Sequence, residues 1–504
     1  MFDRKAQRGL QLPRYLRLCQ RSFILVVMAG VGACAVGPNY HKPPVEIPES
    51  FKEGADWQRA QEKPPEPLAS TWWLVYQDDK LTQLIEQSLK ANQSIVAAEA
   101  AYRVAQATVQ ANVASLFPIV SAALSASRTG AGAGAAAAGG GSITGATSPG
   151  VRNTVAANVS ASWEPDLWGG IRRQIESAKA SAQASDAQLA GERLSIAASI
   201  VSDYFQLRQA DSDIQSLKQQ QDIDARILEM MRAELLQGEA SNDDLLAAQD
   251  TLELVVAQLQ TTETSREQDE HAIAVLIGVP PVDFTLPPDP SYAFVLPAVP
   301  LALPSQLLER RYDVVTAERT AAAANAKIGV ADAAFFPTLT LSAEGGYQHN
   351  TFAHLFSLPN RFWTLGPDLA ETIFDGGART AAVREARATY DVDVANYRNA
   401  VLTAFQNVED SLSTVNHLRQ QTQAFANISQ RNQQLFVSER AQRVAGTASE
   451  QDLLTQQLAL LQAEQNLKDS QALLAQGSVT LIRNLGGGWQ WDDTKVSAVP
   501  APPF

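Results

Sequence analysis

Four carboxylates stand just beyond two glycines: Asp243 and Asp244 after Gly238, and Glu450 and Asp452 after Gly446. If several copies of the chain surround one axis, such acids form a ring that favours cations. The alternative role is local, because an acid in the first turn of a helix is favourable there whatever surrounds it. The remaining reactive side chains are not arranged for catalysis. The five histidines (His41, His271, His349, His354, His417) are scattered, with no HExxH pair, and the closest two, His349 and His354, fall in an expected loop. Two cysteines, Cys19 and Cys34, are too few for a disulfide framework or an all-cysteine zinc site. Gly486-Gly487-Gly488 lacks the Lys-Ser/Thr that completes a phosphate-binding loop, and there is no Ser/His/Asp arrangement. The expectation is no enzyme, no cofactor and no metal.

The N-terminus carries a different chemistry. Residues 1–21 are basic, and residues 22–33 (SFILVVMAGVGA) form an apolar run of twelve. A helix needs about 20 residues to span a bilayer core, so this run reads as an export signal. Val31-Gly32-Ala33-Cys34 resembles a bacterial lipobox. That resemblance implies cleavage before Cys34, diacylglycerol on its sulfur and acylation of the new amine, which together make a stable anchor. Ala35 follows rather than the Asp associated with inner-membrane retention, which points to the outer membrane. The net charge is −14; residues 1–33 carry six Lys/Arg and one Asp, so their removal takes it to −19. A chain this acidic disfavours nucleic-acid binding.

The elements that hold the acidic turns come in two copies. At an offset of 208, Gly238 matches Gly446, Asp244-Leu245-Leu246 matches Asp452-Leu453-Leu454, and Gly278 matches Gly486. Gly169-Gly170 matches Gly376-Gly377, and Phe117-Pro118 matches Phe336-Pro337. The first half alone carries a Gly/Ala/Ser run over residues 130–150, which reads as a flexible loop. Residues 171–237 contain no Pro and one Gly, and 378–445 contain neither. At 1.5 Å per residue each predicts a helix of roughly 100 Å. Apolar residues recur at three and four (Tyr390, Val394, Tyr397, Val401, Phe405, Val408, Leu412, Val415), a stripe that needs a partner helix. Gly238 and Gly446 suit the left-handed ends of these helices. Asn242 and Ser449 are the expected caps of two return helices, about 242–277 and 449–485.

Four segments, about 118–128, 153–165, 337–348 and 361–373, read as strands. In the second, Val155, Ala157, Val159, Ala161 and Trp163 share one face, while Thr154, Asn158, Ser160 and Ser162 share the other. Apolar outside and polar inside is the pattern of a membrane barrel around water, although a half-buried soluble sheet alternates in the same way. Four strands cannot close, and open edges in lipid leave backbone groups unsatisfied, so several chains must contribute.

The residues in order resemble the outer membrane factor family, the TolC-like exit ducts, and within it the NodT/OprM-like lipoprotein branch. The likeness rests on Val36-Gly37-Pro38-Asn39-Tyr40 after Cys34, on Trp72-Trp73, and on Trp163-Glu164-Pro165-Asp166-Leu167-Trp168-Gly169-Gly170. It continues through Leu307-Leu308-Glu309-Arg310-Arg311-Tyr312-Asp313, with Tyr312 where the family has Pro, then Ala326-Lys327-Ile328-Gly329 to Pro337, Phe374-Asp375-Gly376-Gly377 and Gly486-Gly487-Gly488-Trp489. The resemblance implies an α+β membrane protein: a homotrimeric, 12-stranded β-barrel continued by a long α-helical periplasmic tunnel. It also implies a periplasmic adaptor and an inner-membrane pump as partners, with passive transit of drugs or other small molecules. In OprM-like members a Leu and an Asp constrict the aperture after the second turn; Gln451 and Thr455 stand there in this chain, so the match fails at both. Pro118, Gly169, Gly170, Pro337, Gly376 and Gly377 mark the strand–helix junctions.

The expected division is 1–33 signal peptide, 34–70 extended N-terminal segment, 71–286 first repeat, 287–304 Pro-rich linker, 305–488 second repeat and 489–504 tail. The competing class is a non-channel coiled-coil spacer lipoprotein, which would lack the strands.

Overall fold

A computed structural model describes residues 35–48, 51–52, 70–130, 151–297 and 311–489. The expected signal peptide, Cys34, most of the 130–150 run, part of the linker and almost all of the tail lie outside the described residues.

The elements follow in two parallel sets. The first is α1 (Asp79–Ala91), α2 (Gln93–Ala114), β1 (Ile119–Gly130), β2 (Val151–Trp163), α3 (Gly170–Gln237) and α4 (Asn242–Leu276). The second is α5 (Tyr312–Ala333), β3 (Thr338–His349), β4 (Arg361–Ala370), α6 (Ala378–Ala445) and α7 (Glu450–Asn484). Helices α3 and α6 are each 68 residues long, and α4 and α7 are each 35. This equality is the internal repeat expressed as structure.

Each long helix stops at a glycine with φ of 77°, Gly238 and Gly446, a conformation that disfavours a Cβ. Each return helix starts in a reciprocal capping box. Ser449 accepts from the Asp452 backbone N–H, and Asp452 accepts from the Ser449 N–H. In the first half the cap is Ser241, not Asn242, because Ser241 makes the same exchange with Asp244. Asn242 is the first helical residue instead.

The strands make one antiparallel sheet in the order β1-β2-β3-β4. Strand β2 ends at Trp163, short of the expected 165, because Glu164 leads into Pro165, which has no N–H to give a ladder. Strand β4 ends at Ala370, short of 373. There the chain turns toward α6, and the Arg379 guanidinium donates to the Thr372 carbonyl.

The main core lies near mid-length of α3. Trp72, Tyr76, Leu81 and Ile85 pack there against Ile200, Tyr204, Phe205 and Leu207, with Ile273 of α4 and Ile482 of α7. A buried ionic network fastens the linker to this core. Arg208 donates to Asp211 (2.9 Å) and to the Pro287 carbonyl (2.8 Å). Arg266 donates to Asp211 (2.7 Å) and the Leu286 carbonyl (2.7 Å), and the Asp289 N–H donates to Asp211 (2.9 Å). Among the described residues no helix is long and apolar enough to cross a membrane.

Candidate functional site

The pairing register sorts every strand residue onto one of two faces. Val120 and Leu124 share a face with Ala161 and Ala157, then with Ala343 and Tyr347, then with Leu365 of β4. Trp363, Leu365 and Leu369 on that face are about 70% exposed, far from any core within the chain (73%, 74% and 68%). Water would penalise such a surface, and lipid accommodates it. The opposite face carries Ser121, Ser160, Asn158, Ser342, Thr340, Glu344 and Asp368. Ser121 and Ser160 are hydrogen-bonded at 2.9 Å, and Asn158 donates to Glu344. Strands β1 and β4 each have one partner, so both outer edges of the sheet are unpaired among the described residues.

The junctions below the sheet are built alike in both halves. Pro118 and Pro337 immediately precede β1 and β3, while Gly169 and Gly377, both with positive φ, precede α3 and α6. An acid starts each long helix: Asp166 accepts from the Ile171 and Arg172 N–H groups, and Asp375 accepts from those of Gly377 and Arg379. Arg379 pairs with Asp375 at 2.7 Å and, with those N–H groups, holds its carboxyl at about 2. In the sequence these two acids are legible only as neighbours of the glycine pairs; their capping role is set by the fold. Trp168 stacks on Phe336 at 4.8 Å and donates to the Pro337 carbonyl (2.8 Å), so the first junction is bonded to the second.

Residues 35–40 are clamped at the same level. The Val36 N–H donates to the Trp168 carbonyl (3.0 Å), and buried Arg173 donates to the carbonyls of Val36 and Gly37 (both 3.1 Å) and to Asn39 (2.9 Å). A Cβ on Gly37 would come within 2.4 Å of the Gly329 Cα. Ala35, the neighbour of Cys34, lies against Gly169. The described chain therefore reaches the boundary between sheet and helices at the residue next to the expected anchor.

About 100 Å further along the helices lie the two turns. Asp244 and Asp452 are exposed and are held below the ordinary carboxylate range by the hydroxyls of Ser241 and Ser449. Glu450 accepts from Arg443 at 2.9 Å. Asp243, Gln451 and Thr455 are exposed, while Leu454 between them is buried. His349 and His354 do approach, with rings 6.0 Å apart, but no group of three metal-ligating side chains exists among the described residues.

Residues 84–279 and 303–487 match the family model of the outer membrane efflux protein. The chain belongs to the outer membrane efflux protein family. It is 30% identical over 483 residues to the probable efflux pump outer membrane protein TtgC of Pseudomonas putida, covering 94% of this chain and 95% of that one. It is likewise 30% identical over 495 residues to the pyoverdine export outer membrane protein OpmQ of the same species, covering 96% and 99%. Among solved structures, the outer-membrane channel OprN superposes with a TM-score of 0.77 at 28% identity, covering 91% of this chain and all of that one. As an outer membrane efflux protein, the chain is one third of a channel: three four-stranded sheets make a 12-stranded barrel, and the helical hairpins continue it into the periplasm. The spacer alternative fails on the four-stranded sheet and its apolar face.

Proposed function

We propose that the trimer is the passive exit duct of a tripartite pump, receiving small molecules from an inner-membrane transporter through a periplasmic adaptor that meets the hairpin turns. The observation that supports this best is a sheet with an apolar outer face, a polar inner face and two open edges, set on helices of about 100 Å. Such helices are long enough to carry the duct well into the periplasm. Cys34 is the acylation site in this reading. The turns at Gly238 and Gly446 form the aperture, with Asp243, Asp244, Glu450, Gln451, Asp452 and Thr455 around it. The chain divides into the signal, N-terminal, two repeat, linker and tail segments set out above.

The test is complementation in a Gram-negative strain that lacks its own outer-membrane exit channel. Restored resistance that depends on the adaptor and pump supports the duct, and failure despite normal outer-membrane insertion contradicts it. Asp452→Ala tests the ring: reduced cation selectivity in single-channel recordings is expected, and an unchanged reversal potential leaves Asp452 as a helix cap alone.

A further inference from the structure

Within one chain, the extended contact between the two helical hairpins runs along α3 and α7. Any movement of one hairpin against the other must work at this seam. Two acids meet in it, Asp213 of α3 and Asp469 of α7. Each is held by the other helix. Gln209, one turn before Asp213, donates to Asp469 at 3.0 Å, and Gln465, one turn before Asp469, donates to Asp213 at 3.4 Å.

Of the cations nearby, Lys468 acts on the pair, its charge opposing the burial that raises Asp213, and the others are engaged elsewhere. Lys468 donates to the Pro290 carbonyl of the linker at 3.3 Å. Arg208 and Arg266 are bound to Asp211, and Lys218 reaches Glu263 of α4 at 3.5 Å. Among the described residues, the polar and charged groups turned to the pair are thus Gln209 from α3 and Gln465 and Lys468 from α7, with the Pro290 carbonyl holding Lys468 from the linker side. Like charges cannot both stay ionised at such a place without cost, whereas one shared proton turns repulsion into a hydrogen bond.

We propose that Asp213 and Asp469 are a proton-operated tie between the two hairpins of each chain, closed when they share a proton and loosened when both are ionised. Burial, reinforced by the facing Asp469 carboxylate, pushes Asp213 up to about 7, and burial raises Asp469 as well. The sign follows from linkage. Between the ordinary Asp value and about 7 the folded pair keeps a proton that the unfolded chain has lost, so stability falls as pH rises through that window. The tie therefore holds in a mildly acidic periplasm and slackens toward neutrality. As a control on the duct's movement it rests on the exit-duct reading; as a seam it does not.

The experiment follows thermal melting of the detergent-solubilised trimer from about pH 5.5 to about pH 8.5, on either side of the raised carboxyl. The wild type should lose several degrees across that range. Asp213→Asn, whose amide donates to Asp469 at any pH, should hold its melting temperature and exceed the wild type at the alkaline end. Asp469→Asn should do the same and serves if the first variant does not assemble. Spin labels on Gln215 and Glu464, both exposed, should report a broader α3–α7 distance at the alkaline end in wild type only. Equal pH slopes in wild type and both variants would overturn the tie. A flattened slope in the variants, beside a wild type that inserts normally but fails the complementation test, would retain the tie and reject the duct.

Discussion

Helices α3 and α6 have the same length, start after a left-handed glycine and end at one. Their surroundings are opposite. Helix α3 has 29 buried residues, packed by α2, α4, α5 and α7 of its own chain, whereas α6 has 9. Val392, Leu402, Leu435, Val437 and Val444 of α6 remain exposed. The repeat therefore supplies two equivalent staves, but one chain encloses only the first. The second is an unfinished wall, and a neighbouring copy is expected to finish it. The pairs of short and long helices differ inside as well. Where the first has Arg266 and Glu270 around buried Asp211, the second has Leu474 and Ser478 at the matching offset. A buried ionic network ties the first hairpin to the linker, whereas at the matching place in the second Leu474 packs in an apolar cluster.

The largest expected effect comes from breaking the charged side of that comparison. Asp211→Ala leaves Arg208 and Arg266 buried without their acid and removes the acceptor for the Asp289 N–H, at a cost of about 3–5 kcal/mol. Chemical denaturation of the trimer should register it as a large fall in midpoint. Leu474→Ala, on the apolar side, should cost about 2–5 kcal/mol through its cavity.

Leu402→Asp probes the unfinished wall. Within one chain the position is exposed and the change is tolerable; with a neighbour over it, a charge is buried without a partner. Size-exclusion chromatography should show loss of trimer with helicity retained, and a normal trimer would place the neighbour elsewhere. A smaller effect is expected in the barrel, where Glu344→Gln should lower cation preference severalfold in reversal-potential measurements without altering trimer yield. The smallest concerns the turns, where the two hairpins are alike. Ser241→Ala and Ser449→Ala should each cost about 1 kcal/mol, and a marked inequality would mean that one turn bears on something more than its own helix. Because the paired acids Asp244 and Asp452 have lowered values, their caps contribute above the ordinary Asp range and weaken only as pH falls below it.

Much of this architecture is legible in the sequence. Proline-free runs bounded by Gly238 and Gly446 are a local signal, and so is the alternation from Val155 to Trp163. Lipid then forces the edges of the sheet to be paired by other chains. The cap at Ser241 rather than Asn242 is a one-residue choice between two good capping side chains, and it is decided by which of them stands three residues before Asp244. The Asp211 network and the Asp213–Asp469 contact could not be read at all. Their partners lie 55 and 256 residues apart, and periodicity says which face of a helix is apolar, not which acid meets which arginine. The aperture was the least legible part, because Gln451 and Thr455 depart from the family's constricting pair.

Mass measurement of the intact, detergent-extracted wild-type protein by native mass spectrometry reaches the main claim most directly. An unfinished wall and an open-edged sheet require companions, so a species of three chains is predicted, surviving mild activation. A single chain that is folded and stable in detergent would contradict the account.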